Sequence, residues 1–580
     1  MKKYILILAA AALALVSCDL DKQPLSQLSP DSFFSSRSEL EAFSNTFYEI
    51  FPEDDIYNEE NDLLMHKGLT NEMRGGRSVP ASGSGWSFSD LRNYNTLIEL
   101  SVNCKDEAVR NEFIGVARFF RAYYYLIKVQ RFGDYLWYDH QVGSADEELY
   151  KTQDSREVIM AHVVEDLDFA IANLPVTKNT YKVTKWTALA LKSRACLFEG
   201  TFRKYHNLTY PEHSYQWYLE QAASAAEEFI QTSGYGIYTG AGTDGSYRQL
   251  FESENAIGTE IVLARDYDFS LAIKHNATYN ALGQGTNLGM TKKMINSYLM
   301  KDGSRFTDKE GYATMSFLEE CRDRDPRLSQ TIRTPGYIRT GATDQQAPNL
   351  SQSETGYQVT KYVQGVDCLV DLHGASYNDL PLFRSAEVYL NFAEAKAELG
   401  TLTQADLNIS IKPLRDRVGM PNLDMADANA HPDPYLSTAE NGYPNVTGSN
   451  KGVILEIRRE RQIELFCEGF RYYDLMRWKN GQAFTHPFLG MYFTAPGTYD
   501  LDGNGTMDVC IYKGTAPSVP TGCVLRKIDE EIFFTEGDHG YVWSNKSIPG
   551  IWDENRDYYY PIPTNEISLS KNNLKQNPGW

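Results

Sequence analysis

Glu460, Glu464 and Glu468 recur every fourth residue, so a helix through them stacks three carboxylates on one face, with Arg471 and Arg477 close behind. Two chemistries suit that pattern. A carboxylate pair can act as acid and base in glycoside hydrolysis, or carboxylates and guanidiniums can satisfy one another inside a helix bundle. The structural use is the expected one. A second set of oxygen donors lies in Asp500-Leu-Asp-Gly-Asn-Gly-Thr-Met-Asp508, where Asp500, Asp502, Asn504 and Asp508 are spaced as in calcium loops, with Gly505 at the turn. Ile511 stands where such a loop has its closing glutamate, and a polar Asx-rich turn is the competing reading. No cofactor is required, and calcium is the one metal the sequence admits.

Other residues have the types that recognise ligands without transforming them. Trp86 ends Ser82-Gly-Ser-Gly-Trp86, a polar loop able to present an indole to solvent, although a core position just before a helix suits it equally. Arg74 precedes two glycines that permit close approach. Tyr279, Asn280, Tyr312 and Tyr337 stud an irregular middle region. Rings and amides of this kind match the flat C–H faces and edge hydroxyls of sugars, and peptides equally. The sequence has no GxSxG elbow, HExxH helix, phosphate-binding glycine loop or dinucleotide fingerprint. Its ten histidines form no metal pattern.

The start of the chain is a leader. Lys2 and Lys3 precede an apolar run from Ile5 to Val16, twelve residues against the roughly 20 that span a bilayer. Leu15-Val16-Ser17-Cys18 ends it as a bacterial lipoprotein signal ends, so residues 1–17 are expected to be cleaved and Cys18 lipidated. Several acyl chains together make a durable anchor, since each buried methylene contributes about 0.8 kcal/mol. The formal charge of −21 becomes −23 on cleavage, 54 basic against 77 acidic residues, which argues against nucleic acid as a partner. Seven cysteines remain (Cys104, Cys196, Cys321, Cys368, Cys467, Cys510, Cys523), so at least one thiol is expected free, and Cys510 and Cys523 are close enough in sequence to bridge.

Helices must position these groups. Residues 18–36 read as a tether, with a helix from about Ser38. Stripes of apolar residues predict helices over Glu107–Arg131, from an Asp154 cap to Pro175, over Thr184–Glu199 ended by Gly200, and over Tyr215–Gln231. These make two antiparallel pairs. Helical pattern resumes at Arg384–Leu399, Gln404–Val418 and Gly452–Asn480, whereas about 235–383 and 481–580 are loop-rich and expected to carry the ligand contacts. The fold class is mainly α, a tetratricopeptide-like scaffold of helical pairs (about 37–234 and 384–480) with large loop-rich insertions, forming a single domain over 37–580.

Several blocks together carry a resemblance. Glu460-Arg-Gln-Ile-Glu-Leu-Phe-Cys-Glu-Gly-Phe-Arg-Tyr-Tyr-Asp-Leu-Met-Arg-Trp478 resembles the ER-x-x-EL-x-x-EG-x-R-x-x-DL-x-RW stretch of the SusD/RagB family. Others follow in the family's order: Ala117–Ala122 with Phe132-Gly-Asp134, Glu165–Asp168 with Leu174-Pro175, Arg324-Asp-Pro-Arg-Leu328, Arg384–Leu390 with Ala393-Glu-Ala395, and Tyr560-Pro-Ile-Pro563 to Trp580. The resemblance implies a lipid-anchored outer-membrane protein facing the cell exterior. It implies binding of glycan or oligosaccharide nutrients and delivery to a SusC-like TonB-dependent transporter, without enzymatic turnover. Two other classes stand beside it: an anchored polysaccharide hydrolase, and a helical-repeat scaffold that binds proteins or peptides.

Overall fold

The structure, a computed structural model, describes residues 33–580. The leader, Cys18 and the tether up to residue 32 lie outside the described residues. Helix α1 (Arg37–Ser44) starts at a reciprocal cap, in which Ser36 Oγ accepts the Glu39 N–H and the Glu39 carboxylate accepts the Ser36 N–H. There follow α2 (Ser89–Leu100), α3 (Glu107–Phe132), α4 (Arg156–Asn173), α5 (Lys185–His206) and α6 (Tyr215–Thr232). α3 packs on α4 and α5 on α6, the two expected pairs.

Two boundaries differ from expectation for physical reasons. Ser155 caps α4, its Oγ accepting the Val158 N–H, while Asp154 turns away to accept from the Trp137 N–H at 2.8 Å. Gly200 does not stop α5, which runs on to His206 and ends at Asn207, where φ is 56°. A Cβ at Gly200 would lie 2.8 Å from Leu219 Cγ. The glycine therefore marks the point where α5 and α6 approach most tightly, a packing reason and not a breaking one.

The second helical set comprises α7 (Ser385–Leu399), ended as expected at Gly400 with φ 78°, then α8 (Lys451–Glu464) and α9 (Arg471–Arg477). The helix expected over 452–480 is two helices. The chain reverses between them through Cys467 (φ 60°) and Gly469 (φ 78°), so Glu468 leaves the face shared by Glu460 and Glu464. The helix expected over 404–418 likewise divides at Ser410 into Gln404–Ile409 and Ile411–Arg417. α7 lies against both α6 and α8, so it couples the two helical sets.

β1 (Ile261–Arg265) and β2 (Leu380–Arg384) pair antiparallel with Ile261 opposite Arg384, and β2 feeds directly into α7. Residues 481–580, expected as loops, carry strands. β3 (Leu489–Phe493) pairs antiparallel with β7 (Gly540–Trp543), while β5 (Val509–Tyr512) lies between antiparallel β4 (Gly497–Tyr499) and parallel β6 (Val524–Lys527). These strands are too short for a period of two to stand out: β5 buries Val509, Cys510 and Ile511 consecutively, and β7 alternates over only four residues. Cys510 faces Leu525 across this sheet, and Cys523 precedes the ladder; all seven described thiols are free, so the expected bridge is not formed. Among the described residues no helix is long and apolar enough to cross a membrane.

Candidate ligand-binding cleft

The charged block at 460–478 builds the interior. Glu464 accepts from Arg417 at 2.5 and 2.6 Å, from Arg384 at 2.7 Å and from Arg327 at 3.0 Å. Glu460 accepts from Arg415 at 2.9 Å, and Glu468 from Arg384 at 2.7 Å and Lys361 at 2.6 Å. All are buried. Burial opposes the charge on Glu464, but Arg417, Arg384 and Arg327 outweigh it and hold the carboxyl well below its ordinary range. Each of these carboxylates is engaged by fixed cations, which leaves no proton-transfer partner for a substrate. The structural use of the motif is the one realised.

A cavity of about 250 Å³ has the lining that sugars need. Three half-buried rings border it, each from a separate segment: Tyr312 from the turn Tyr312–Thr314, Tyr435 from the 431–450 loop, and Tyr541 from β7. The helix Lys292–Ser297 supplies Lys292, Lys293 and Asn296, and Asp62, Thr291, Glu440, Asn441 and His486 complete the polar wall. The floor is locked. Asp62 takes a bidentate pair from Arg471 at 2.7 and 2.8 Å and lies 2.7 Å from the Lys293 ammonium. Burial works against Asp62, yet Arg471 and Lys293 hold it far below the usual carboxylate range; burial in turn pushes Lys293 down. The rings are fixed by hydrogen bonds, Asn296 Nδ2 donating to the Tyr435 hydroxyl at 3.2 Å and the Tyr541 hydroxyl donating to the Ala313 carbonyl. Asn296 Oδ1 is buried with no protein partner among the described residues, an acceptor left open beside the rings.

Of the six ligand-contact candidates, only Tyr312 reaches this cavity. Trp86 is turned inward, 6% exposed, its ring 4.4 Å from Tyr135 and 5.0 Å from Phe132. Its free edge borders a separate, mostly apolar groove with Leu91, Tyr138 and Leu574. Arg74 folds back on its own turn, donating twice to Asn71 Oδ1. Tyr279 packs against His373 at 5.4 Å beside buried Asn280, and buried Tyr337 lies between the guanidiniums of Arg248 and Arg333. Sequence reasoning passed over Tyr435, Tyr541, Lys293 and Asn296. Gly540-Tyr-Val-Trp543 alternates rings with small residues, a faint strand signal, whereas nothing in the sequence around Tyr435 singles it out.

The oxygen-rich loop converges in part. Ligand oxygens of Asp500, Asp502 and Asp508 lie within 4.8 Å of one another. Backbone N–H groups already engage them: Asp500 accepts from Gly503 and Gly505, Asp502 from Asn504, and Asp508 from Leu501. Asn504 Oδ1 accepts from the Thr506 N–H at 2.6 Å. Burial, with Asp502 and Asp500 adding repulsion, raises the Asp508 carboxyl. The donor set suits a hard cation such as calcium, and the loop is also closed by its own amides.

Comparison with known proteins is decisive: the model of the SusD family matches residues 249–580. The chain belongs to the SusD family. Members of this family are typically outer-membrane lipoproteins. Among its relatives is SusD-like protein P2 of Formosa agariphila, 24% identical over 84% of this chain and 93% of that protein. A SusD-like carbohydrate binding protein from Bacteroides fragilis superposes with a TM-score of 0.67 at 20% identity, covering 93% of this chain and 99% of that one. A laminarin binding SusD-like protein gives 0.54 at 18% identity, covering 94% and 99%.

Proposed function

We propose that this SusD-family chain is a lipoprotein, anchored through Cys18 to the outer face of the outer membrane, that binds glycans and passes them to a SusC-like TonB-dependent transporter without chemical turnover. The observation that carries the binding step is the cleft of Tyr312, Tyr435 and Tyr541 around an open amide acceptor and a fixed ammonium. Half-exposed rings stack on sugar C–H faces while Asn296, Asn441 and His486 meet hydroxyls at the edges. The names of the two structural relatives, carbohydrate binding and laminarin binding, support the ligand class. Anchoring and transfer rest on the Leu15–Cys18 signal and on the family.

The test is electrophoresis of the lipoprotein in native detergent gels cast with single neutral or acidic polysaccharides. One polymer class retards migration, and Tyr312→Ala with Tyr541→Ala releases it. Each lost stacking contact contributes about 0.5–1.5 kcal/mol, so the pair weakens binding by about 5- to 150-fold. Uniform migration in every gel, or retardation indifferent to both substitutions, removes this cleft as the glycan site.

A further inference from the structure

The most spacious cavity described, about 710 Å³, lies elsewhere. It opens where Thr70 and Gly469 are exposed and runs inward between the N-terminal segment, α3 and α9; it shares no lining residue with the tyrosine cleft. Its size is that of a small-molecule site. Its walls are aromatic, with Tyr123, Phe383, Phe470, Tyr472 and Tyr473 facing it.

Four of its lining side chains carry buried polar atoms without a partner among the described residues, one of them the Tyr472 hydroxyl, which can donate or accept. Asn58 Oδ1, Glu60 Oε1 and His66 Nε2 are buried, and none has a hydrogen-bond partner among the described residues. All three line this cavity. The His66 ring donates to the Asn58 carbonyl, and burial pushes its pKa down to about 4, so at neutral pH Nε2 carries a lone pair. Asn58 Oδ1 and His66 Nε2 are therefore acceptors, and Glu60 Oε1 becomes one when a bound cation ionises the carboxyl. The cations on the wall are already taken: Arg194 donates to Glu387 at 2.7 Å, Arg461 to Asp474 at 2.8 Å, Arg477 to Glu394 at 2.8 Å and Arg131 to the Ser84 carbonyl at 2.7 Å. Glu59 accepts from the Gly469 and Tyr472 amides. Burial raises Glu59 to about 7, with Asp474 adding repulsion that Arg471 only partly offsets, and raises Glu60 to about 8.

A primary ammonium offers three donors to Asn58, His66 and Glu60, and its charge, which a neutral polyol lacks, favours the ionised form of the Glu60 carboxyl. We propose that this cavity is a second binding site, taking a ligand that carries a free primary ammonium on a body of one or two sugar rings, with the ammonium between Asn58, Glu60 and His66 and the body against the aromatic wall. The charge also suits rings, whose faces attract cations. This is independent of the tyrosine cleft, and it extends the ligand range from neutral glycan to amino sugar.

Calorimetric titration of the lipoprotein in detergent at neutral pH, with glucosamine, N-acetylglucosamine and glucose as probes, tests it. Glucosamine gives saturable heat, and the acetylated and hydroxyl forms, which lack the charge, bind at least about tenfold more weakly. Glu60→Gln and, separately, Asn58→Leu weaken glucosamine by a similar factor while polysaccharide retardation and melting temperature stay as in the parent. Tyr541→Ala leaves glucosamine binding unchanged, which separates this site from the glycan cleft. No saturable heat from glucosamine, equal binding of the acetylated sugar, or indifference to both substitutions overturns the proposal.

Discussion

Arg477 shows what a single buried cation does in this protein. Its guanidinium donates to Glu394 at 2.8 Å and to Asp474 at 2.9 Å, and Glu394 also accepts the Trp478 indole N–H. Arg477→Met removes the cation and leaves Glu394 buried with a neutral partner. The expected loss is about 3–5 kcal/mol in a urea denaturation series, the cost of an uncompensated buried charge. Polysaccharide retardation below the transition stays as in the parent, because Arg477 is not in the tyrosine cleft; selective loss of retardation in a stable variant would give the residue a binding role. That the block is structural was legible from its residue types, but its partners were not, because Glu464 is met by Arg327, Arg384 and Arg417 from distant segments. Trp86 was not, because the same indole beside a glycine loop can face either way. The choice was made by Phe132 and Tyr135, contributed by a distant end of α3 and the segment after it.

At the scale of elements, helices were legible where caps and stripes agree, as at Glu107–Phe132 and Ser385–Leu399. Glycine was the ambiguous sign. Gly400 ends a helix with φ 78°, whereas Gly200 sits mid-helix to admit Leu219, and sequence alone cannot tell conformational from steric need. The strands of 489–543 escaped for a different reason: each has only three to five residues, too few for a period of two to stand out, and β5 is buried without alternation. The loop joining β4 to β5 is where this region makes its own prediction. Its three acidic side chains repel one another, and calcium at millimolar concentration, the range of extracellular modules, relieves that repulsion and gives a saturable rise in melting temperature. Asp502→Asn with Asp508→Asn abolishes the rise. A melting temperature indifferent to calcium and to chelator assigns the loop to its amide hydrogen bonds alone.

Across the whole molecule, buried titratable groups set how stability changes with pH. Two opposing sets act in the acid range. His66, lowered to about 4, and His206, lowered to about 3, stay neutral in the folded chain while the unfolded chain protonates near 6.5, so they favour folding as pH rises towards that value. Glu59 and Glu60 act the other way, holding protons in the folded state that the unfolded chain releases near 4.5. Above about pH 7.5 these histidines are neutral in both states, whereas Glu59 and Glu60 still hold protons; Lys128 and Lys361, lowered by burial to about 8, begin to lose theirs and act the other way. The two glutamates make the folded protein bind more protons than the unfolded one, so their contribution to stability falls as pH rises. The slope is about 1.4 kcal/mol per pH unit for each extra proton held. Urea denaturation at several pH values in this range should show their contribution as a steeper fall, or a shallower rise, in the parent than in Glu59→Gln with Glu60→Gln, while both keep the loss of stability at low pH, which comes from ion-paired carboxylates such as Asp62 and Glu464. Equal slopes in parent and variant would mean that both carboxyls are ionised at neutral pH and that solvent enters the 710 Å³ cavity freely. Because an ammonium bound beside Glu60 favours its ionised form, saturating glucosamine should reduce the same slope, which ties the second site to the stability of the molecule as a whole.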